Sequence, residues 1–439
     1  MDLHRDIMEQ LVEWKGSPAR KPLILQGARQ IGKTWLMKHF GKRCFKYVAY
    51  FNFDQSEELC REFESTKEPS RLLPILSLYT DVPIVAGDTL IIFDEIQQSN
   101  KALNSLKYFC EVAPEYHVIA AGSLLGVALS KGDSFPVGKV EFLRMYPVSF
   151  REFLRRDDEK AFRFLEGLNE IGSLPEIIKN RVSESYRRYQ VCGGMPAAAV
   201  CMLDGKGVGE VERVQREILQ AYMLDFAKHA AGSDVPRISA IWDSIPSQLA
   251  RENRKFVYKL VKPGARAREY EDALLWLQQA GLIYRVFCCS RPGLPLSAYD
   301  DVAAFKIYLF DTGLLRAMAA LPPEVFWNSN IMYREFRGAL TENAILQSLV
   351  PQLQVQPRYW VSNATAEVDF VIQYGADVLP VEVKSGTNTS GKSLSVYIKK
   401  YIPAYSIIYS EKELEYRDGV LRIPHFMADW TVKLLNLLK

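Results

Sequence analysis

A phosphate-binding pattern lies near the start of the chain, between an apolar run and a predicted helix. The run Pro22–Leu25 is followed by residues that fit G-x-x-x-x-G-K-[ST], and then by Trp35–Phe40, which has helical character. In this setting the glycines let successive backbone N–H groups point at phosphate oxygens, and the positive end of the helix dipole adds to the attraction. Lys33 then reaches the β- and γ-phosphates, and the Thr34 hydroxyl is a ligand for Mg²⁺. The predicted nucleotide-binding residues are Gly27, Ala28, Arg29, Gln30, Ile31, Gly32, Lys33, Thr34 and Trp35. A glycine-rich turn that matches by chance is the alternative.

Two later strands end in side chains that suit phosphate chemistry. Leu90–Phe93 is an apolar run that ends in Asp94 and Glu95, about sixty residues after the glycine-rich pattern. The carboxyl end of a buried parallel strand opens on the ligand crevice. We therefore expect Asp94 to hold Mg²⁺ through water and Glu95 to orient or deprotonate the attacking water, with Lys33 completing the catalytic set. The next strand leads into Ser123, which is either a sensor of the γ-phosphate or a small turn residue.

Composition sets the broad class of the protein. The chain has 439 residues, of which 48% are hydrophobic and 24% are charged, as in an ordinary globular protein of several domains. It contains no apolar run long enough for a membrane-spanning helix and no signal-peptide layout at its start. The seven cysteines include no Cys-x-x-Cys pair, which predicts reduced thiols in the cytoplasm and no zinc site. The net charge of +3 does not distinguish between classes of partner.

The pattern of predicted elements changes along the chain. Residues 21–150 alternate strands and helices, which predicts a parallel sheet covered on both faces. Apolar spacing from 150 to 229 predicts helices. Residues 235–310 have the pattern of a winged helix-turn-helix, and residues 251–270 hold seven basic side chains against two acidic ones. A basic helix-turn-helix favours DNA binding, but the same module also serves to pack domains together. The basic side chains are those of Arg251, Arg254, Lys255, Lys259, Lys262, Arg266 and Arg268.

A second group of residues with chemical potential lies in the last hundred residues. Asp369 lies on a predicted strand, and Glu382 and Lys384 lie on its predicted hairpin partner, where period-two alternation puts both on one face. Glu342 lies on a preceding helix that can bring it to the same place. Three carboxylates around a divalent metal ion, with a lysine beside them, can activate water for phosphodiester attack. This is the pattern of the PD-(D/E)xK nuclease fold; an amphipathic hairpin with solvated charges is the alternative.

Several segments, taken in order, resemble a known family. They are residues 23–34, 90–97, 121–124, 146–154, 308–315 and 367–386. Their order is similar to that of the prokaryotic P-loop ATPases of the AAA+ superfamily that carry a C-terminal domain of unknown function with a restriction-endonuclease-like core. The resemblance extends over nearly the whole chain, and it implies for Thr34, Asp94 and Glu95 the roles given above.

The resemblance also implies an α/β architecture in four parts. These are a P-loop AAA-type ATPase core with a parallel sheet at 1–150, a helical lid at 151–234, a winged helix-turn-helix at 235–325 and a PD-(D/E)xK nuclease-like domain at 326–439. It further implies a homo-oligomer, because sites of this type lie between protomers and a neighbour's basic residue completes them. Family members often have arginine where this chain has Lys139. Lysine is a poorer ligand for a γ-phosphate, so either Lys139 or Arg144 is the expected residue acting in trans.

Two functions remain open from the sequence. The first is an ATP-hydrolysing protein that associates with DNA and binds or cuts it through the C-terminal domain. The second is a nucleotide-dependent switch that docks protein partners, with an inactive nuclease-like domain. The presence of Asp369, Glu382 and Lys384 together favours the first. The lack of a long basic tract and of a series of aromatic residues for stacking bases speaks against it.

Overall fold

The computed structural model describes residues 3–122, 135–230, 232–251, 254–327, 334–362, 366–386 and 391–439. The chain forms two compact units. The N-terminal unit consists of Arg5–Tyr146 together with Gln279–Gly281. The C-terminal unit consists of Pro147–Gln278 and Leu282–Lys439, together with the residues before Arg5.

The N-terminal unit is built on a parallel sheet. Its strands are β1 (Leu23–Gln26), β2 (Tyr47–Asn52), β3 (Thr89–Asp94), β4 (His117–Ala121) and β5 (Glu141–Arg144). They lie in the order β2, β3, β4, β1, β5, and each neighbouring pair is parallel. The side chains of β3 and β4 are buried throughout, as expected for central strands covered on both faces. The predicted α/β fold with a parallel sheet is therefore confirmed for this unit.

Helices and aromatic side chains pack against this sheet. The described helices of the unit are α1 (Ile7–Gly16), α2 (Lys33–Cys44), α3 (Glu57–Ser65), α4 (Pro69–Leu76) and α5 (Asn100–Val112). The ring of Phe93 on β3 lies edge-on to those of Phe53, Phe63 and Phe109, with centroid distances of 5.5, 5.6 and 6.1 Å. Such pairs add stability beyond the area that they bury. This packing fixes the strand whose last residue is Asp94.

The C-terminal unit begins with a series of helices and continues as a mixed α/β structure. Its described helices are α6 (Phe150–Asp157), α7 (Glu159–Glu166), α8 (Glu176–Cys192), α9 (Pro196–Leu203), α10 (Val208–His229), α11 (Val235–Leu249), α12 (Tyr258–Val261), α13 (Ala267–Gln279), α14 (Thr312–Met318), α15 (Arg334–Leu349), α16 (Lys392–Tyr401) and α17 (Thr431–Asn436). A capping box between Ser149 and Glu152 starts α6, as the sequence pattern S-x-x-E predicts.

The described part of the C-terminal unit contains one sheet of eight strands. Its strands are β6 (Ile283–Cys289), β7 (Asp300–Leu309), β8 (Arg358–Val361), β9 (Glu367–Tyr374), β10 (Asp377–Val383), β11 (Ser406–Ser410), β12 (Glu415–Arg417) and β13 (Val420–Pro424). Their order is β12, β13, β11, β10, β9, β8, β6, β7. The strands β8, β9 and β10 form antiparallel neighbours, whereas β10, β11 and β13 run parallel. The helix α16 lies in the connection between β10 and β11.

A buried carboxylate links separate segments of the C-terminal unit. Asp311 is fully buried at the start of α14 and accepts hydrogen bonds from the Leu314 N–H at 2.8 Å and from the Gly194 N–H at 2.6 Å. Burial raises the pKa of Asp311 to about 6, although the two backbone N–H donors lower it. The backbones at Gly193 and Gly313 can approach closely because glycine has no Cβ. Gly193 has a φ of 68°, and a Cβ there would lie 2.7 Å from the Gly313 nitrogen. The aspartate and glycine of the segment 308–315 are thus explained by packing within this unit.

Among the described residues, no helix has both the length and the apolar character needed to cross a membrane.

Candidate nucleotide-binding and nuclease-like sites

The phosphate loop, Gly27–Thr34, turns sharply between β1 and α2. Gly27 and Gly32 have φ values of 148° and 93°, which L-residues rarely adopt. A Cβ on Gly27 would lie 2.4 Å from the carbonyl oxygen of Met145 and equally close to Ile31 Cδ1. Since a backbone carbonyl cannot move aside cheaply, only glycine fits there. The loop therefore has the tight curl that the motif needs, and α2 begins directly after it at Lys33.

Lys33 lies buried within the curl of the loop. Its Nζ donates hydrogen bonds to the carbonyl oxygens of Gly27 at 2.9 Å and of Ala28 at 2.7 Å. Burial lowers the pKa of the Lys33 ammonium to about 8, and the carboxylates of Glu95 and Asp94 oppose that shift. The ammonium is therefore still largely charged near neutral pH. It lies at the N-terminus of α2, where an anion is favoured.

Thr34 and Asp94 meet at the carboxyl end of β3. The Thr34 hydroxyl donates to Asp94 Oδ2 at 2.6 Å, although the two residues lie far apart in sequence. The Tyr50 hydroxyl donates to the same oxygen at 2.9 Å. Burial, and then the Asp94 carboxylate, raises the pKa of Tyr50 to about 12, so Tyr50 is a hydrogen-bond donor at all ordinary pH values. These oxygen atoms fit a hard cation such as Mg²⁺, which prefers oxygen ligands.

Glu95 follows β3 in a left-handed backbone conformation with a φ of 52°. Its backbone N–H donates to Asp94 Oδ1 at 3.1 Å, and its Oε2 accepts from Gln97 Nε2 at 2.6 Å. A non-glycine residue in this conformation is often found at functional sites. The backbone turn and Gln97 together fix the orientation of the Glu95 carboxylate beside Asp94.

Other predicted residues of the N-terminal unit have different surroundings. Ser123 lies outside the described residues. Trp35 is partly exposed on α2 and stacks on His39 with a centroid distance of 4.7 Å. Lys139 forms an ion pair with Glu111 at 2.9 Å. Arg144 lies at the exposed end of β5 and pairs in register with Gln26, the last residue of β1.

Sequence reasoning missed Tyr50 and Gln97. Tyr50 lies on β2, and its approach to Asp94 depends on β2 and β3 being neighbours in the sheet. A polar side chain near the end of a predicted parallel strand was the signal that could have identified it. Gln97 comes two residues after Glu95, and only the local turn brings their side chains together.

In the C-terminal unit, Asp369, Glu382 and Lys384 form what we call the carboxylate cluster. Val381 pairs with Phe370, so Glu382 lies opposite Asp369 on the antiparallel neighbours β9 and β10. Asp369 Oδ2 accepts from the Val383 N–H at 2.7 Å, and the Lys384 ammonium pairs with Glu382. The structure thus brings these three predicted residues together.

Burial gives Glu382 unusual electrostatics within this cluster. Its side chain is nearly inaccessible, and its Oε2 is buried without a hydrogen-bond partner. Burial first, and the nearby Asp369 carboxylate second, raises the pKa of Glu382 to about 7, while Lys384 opposes the shift. An orphaned carboxylate oxygen next to a second carboxylate fits a divalent cation.

Glu342 does not belong to this cluster in the way the sequence predicted. Its carboxylate forms a buried ion pair with Arg254 and accepts from the Tyr308 hydroxyl at 3.0 Å. Within the part of the chain that the structure describes, no three or more His, Cys, Asp or Glu side chains are grouped so that they could hold a metal ion. The expectation of three carboxylates around one ion was therefore wrong for these residues. The physical reason is that Arg254 and Tyr308 already satisfy the charge of Glu342.

The basic segment 251–270 is only partly available to a partner. Arg254 turns inward to Glu342, whereas the other six basic side chains of the segment are exposed. The helix α13, which would be the recognition helix of a winged helix-turn-helix, also exposes Glu269, Glu271 and Asp272. Acidic side chains on that face repel phosphate groups. The charge of this region is therefore mixed rather than uniformly basic.

Comparisons with known families divide the chain into three matched segments. Residues 19–154 match the family model described as an AAA domain. Residues 183–325 match a domain of unknown function (DUF8612), and residues 337–426 match another domain of unknown function (DUF4143). The AAA model includes the phosphate loop together with Asp94 and Glu95. Among curated proteins, none shows significant sequence similarity to the chain.

Solved structures that are similar to this chain include the following three. A Walker-type ATPase of Pyrococcus abyssi is 15% identical with a TM-score of 0.45, covering 72% of this chain and 96% of its own. The Aeropyrum pernix ORC1 protein in complex with DNA is 14% identical with a TM-score of 0.31, covering 75% and 95%. The Thermotoga maritima RuvB Holliday junction branch migration motor is 14% identical with a TM-score of 0.32, covering 65% and 90%. TM-scores this low do not establish a shared fold over the whole chain. The match over residues 19–154 identifies this part of the chain as an AAA domain, and the geometry of the phosphate loop within it agrees with that match.

Proposed function

We propose that the chain binds ATP with Mg²⁺ at the phosphate loop and hydrolyses it. The observation that carries this proposal is the 2.6 Å hydrogen bond between Thr34 and Asp94, because it gathers two oxygen ligands beside the loop. When bound, Mg²⁺ would neutralise part of the phosphate charge. Lys33 exchanges its contacts with loop carbonyls for the β- and γ-phosphates. Tyr50 keeps the Asp94 carboxylate in place.

Glu95 is the residue that we assign to the attacking water. Its carboxylate lies directly after Asp94, and Gln97 orients it through a 2.6 Å hydrogen bond. A carboxylate in this place accepts a proton from water or aligns it with the γ-phosphate. We assign no role to Ser123, which lies outside the described residues.

Nucleotide binding is tested by titration calorimetry of the full chain with MgATP. Lys33→Ala removes a cation that contacts two phosphates, so we expect binding to weaken at least about 30-fold, which corresponds to ~2 kcal/mol. Lys42→Ala is the matched control, because Lys42 is an exposed lysine at the other end of the same helix. Equal affinity for Lys33→Ala and the control would contradict the proposal.

Association with DNA through the C-terminal unit is the second part of the proposal. It is supported by the carboxylate cluster with its orphaned Glu382 oxygen, and by the six exposed basic side chains of residues 251–270. The order of α15, the antiparallel β8–β10, the helix α16 and the parallel β11 also suits a restriction-endonuclease-like core. Asp369 and Glu382 would hold a second divalent ion there, and Lys384 would stabilise negative charge on the phosphate.

The test is the rate of ATP hydrolysis with and without duplex and single-stranded DNA, together with DNA cleavage in Mg²⁺ or Mn²⁺. We expect DNA to stimulate hydrolysis, and Asp369→Ala to remove any cleavage while ATP hydrolysis continues. Asp377→Ala on the same hairpin is the matched control. ATP hydrolysis that is indifferent to every DNA tested would contradict this part and leave the ATPase assignment intact.

The alternative is a nucleotide-dependent switch that docks a protein partner. Two observations favour it: the acidic side chains on the exposed face of α13, and the commitment of Glu342 to Arg254. In that case the carboxylate cluster is inactive, and neither DNA binding nor cleavage will be found at physiological salt.

Oligomerisation is the remaining part of the proposal. Because Lys139 pairs with Glu111 within its own unit, we favour Arg144 as the residue that acts on a neighbouring protomer's nucleotide. Sedimentation with a non-hydrolysable ATP analogue is expected to show assembly. A monomer that hydrolyses ATP at full rate would contradict it.

A further inference from the structure

A cavity of about 530 Å³ lies within the C-terminal unit. Its walls come from α8, from α15 and from the chain segments that follow β11 and β13. This volume is in the range of pockets that hold one small molecule. None of the roles proposed above uses this cavity.

The cavity lies where parallel strands end. Ser410 and Glu411 mark the end of β11, and Pro424 and His425 mark the end of its parallel neighbour β13. The crevice beyond the carboxyl ends of parallel strands is the usual place for a ligand in an α/β sheet. The position of the cavity therefore favours a binding site over a packing defect.

Among the described residues that line the cavity, three carry a cationic side chain and one, Glu411, carries a carboxylate. The cationic residues are Lys179 and Arg187 from α8 and Arg337 from α15. Each pairs with a partly exposed glutamate: Lys179 with Glu413, Arg187 with Glu184 at 3.2 Å, and Arg337 with Glu411. Exposed pairs of this kind contribute little stability, so an anionic ligand can recruit these cations at small cost. A phosphate group suits two guanidinium groups particularly well, because each can bind it through two N–H donors.

Aromatic and neutral polar groups complete the wall. Trp327 lines the cavity with 43% of its surface exposed, and Phe326 lies next to it. His425 Nε2 lies 2.8 Å from the Lys384 carbonyl oxygen, which can only accept, so Nε2 carries the hydrogen and Nδ1 is an acceptor. Burial lowers the pKa of His425 to about 4, which keeps the imidazole neutral. A flat ring that bears N–H donors matches these groups, because it can stack on an aromatic side chain and donate to the Nδ1 acceptor of His425.

We propose that this cavity binds a nucleoside monophosphate, with its phosphate at Arg187 and Arg337 and its base against Trp327. The site differs from the phosphate loop, which requires the β- and γ-phosphates. It gives the C-terminal unit a nucleotide site of its own, independent of ATP hydrolysis and of DNA cleavage.

The test is titration calorimetry with adenosine 5′-monophosphate in the absence of Mg²⁺. The proteins are the full chain and its Lys33→Ala, Arg337→Gln, Trp327→Leu and Arg163→Gln variants. Arg163 is a matched control, since it is an exposed arginine on α7 that pairs with Glu159 and lies outside the cavity. We expect binding to the wild type, to Lys33→Ala and to Arg163→Gln with similar affinity, and at least ten-fold weaker binding to Arg337→Gln and Trp327→Leu.

Three outcomes would overturn the proposal. These are no binding to the wild type, loss of binding in Lys33→Ala alone, and competition by inorganic phosphate or by a 5′-phosphorylated oligonucleotide as strong as that by the free mononucleotide. A second measurement uses the unmutated chain in case a variant does not fold. Photo-crosslinking with 8-azidoadenosine monophosphate is expected to label peptides that contain Trp327 or residues 179–190. Labelling confined to other peptides would contradict the assignment.

Discussion

Replacement of Asp311 by asparagine is expected to destabilise the C-terminal unit by a measurable amount. Asp311 is fully buried and accepts from the N–H groups of Leu314 and Gly194. An asparagine can keep the contact with Leu314 through its single carbonyl oxygen and so still cap α14. Its amide nitrogen then faces the Gly194 N–H, which is left without an acceptor.

The cost of this change follows from the hydrogen bonds lost. Leaving one buried N–H unsatisfied costs about 1–3 kcal/mol. Because asparagine is neutral, the change also removes the cost of burying an ionised carboxylate, which offsets part of that loss. We expect about 2 kcal/mol for Asp311→Asn. Asp311→Ala also loses the helix cap, which adds about 1 kcal/mol. Asp418→Asn is the control, because Asp418 is an exposed residue whose ion pair with Arg417 lies almost entirely in solvent.

The assay is hydrogen exchange at pH 8, where the Asp311 carboxyl is ionised, read by mass spectrometry on peptides around Gly194 and Leu314. Two kcal/mol corresponds to roughly 30-fold faster exchange where exchange follows opening of this region. Peptides of the N-terminal unit are expected to exchange at the wild-type rate. Exchange around Gly194 in Asp311→Asn that equals the Asp418→Asn control would refute the reasoning.

Three other changes test separate parts of the account. Tyr50→Phe removes one hydrogen bond to Asp94, worth about 1 kcal/mol, and is expected to raise the Mg²⁺ concentration needed for half-maximal hydrolysis about five-fold; an unchanged Mg²⁺ requirement would mean that Tyr50 does not position Asp94. The pKa of Glu382 is raised to about 7 in the folded state, so its ionisation makes wild-type stability fall as pH rises from about 4.5 through 7. Glu382→Gln removes that loss. The melting temperature of the variant minus that of the wild type should therefore be larger at pH 8 than at pH 5, and an equal difference at both pH values would contradict the burial of this charge. Arg254→Met leaves Glu342 buried and unpaired and should cost about 3–5 kcal/mol in urea unfolding, whereas Arg254→Met with Glu342→Gln should recover much of it; additive effects would show that the two side chains do not interact.

The phosphate loop could be predicted because its requirements are local. Two glycines with unusual backbone angles, a lysine and a threonine lie within one turn, and the strand ending in Asp94 follows from its apolar run. Parallel strands present their carboxyl ends at the same edge, so the meeting of Thr34 and Asp94 needed no further knowledge. The hairpin that pairs Asp369 with Glu382 is also local, since the turn at Gly375 fixes its register.

The rest depended on contacts between segments that lie far apart in sequence. Glu342 lies on a helix that could bring it to the carboxylates, but Arg254 and Tyr308 reach it from other elements. Nothing in the local pattern of either segment indicates that pairing. The cavity beside His425 likewise arises from α8, α15 and two strand ends together, so no single stretch of sequence predicts it.

The central claim is that Glu95 acts on the attacking water while the phosphate loop holds the nucleotide. Steady-state phosphate release and MgATP affinity of Glu95→Gln, measured beside the exposed control Glu58→Gln, test it most directly. We predict wild-type affinity with turnover at least about 100-fold slower for Glu95→Gln, and no change in either quantity for the control. Turnover at the wild-type rate in Glu95→Gln would contradict the account.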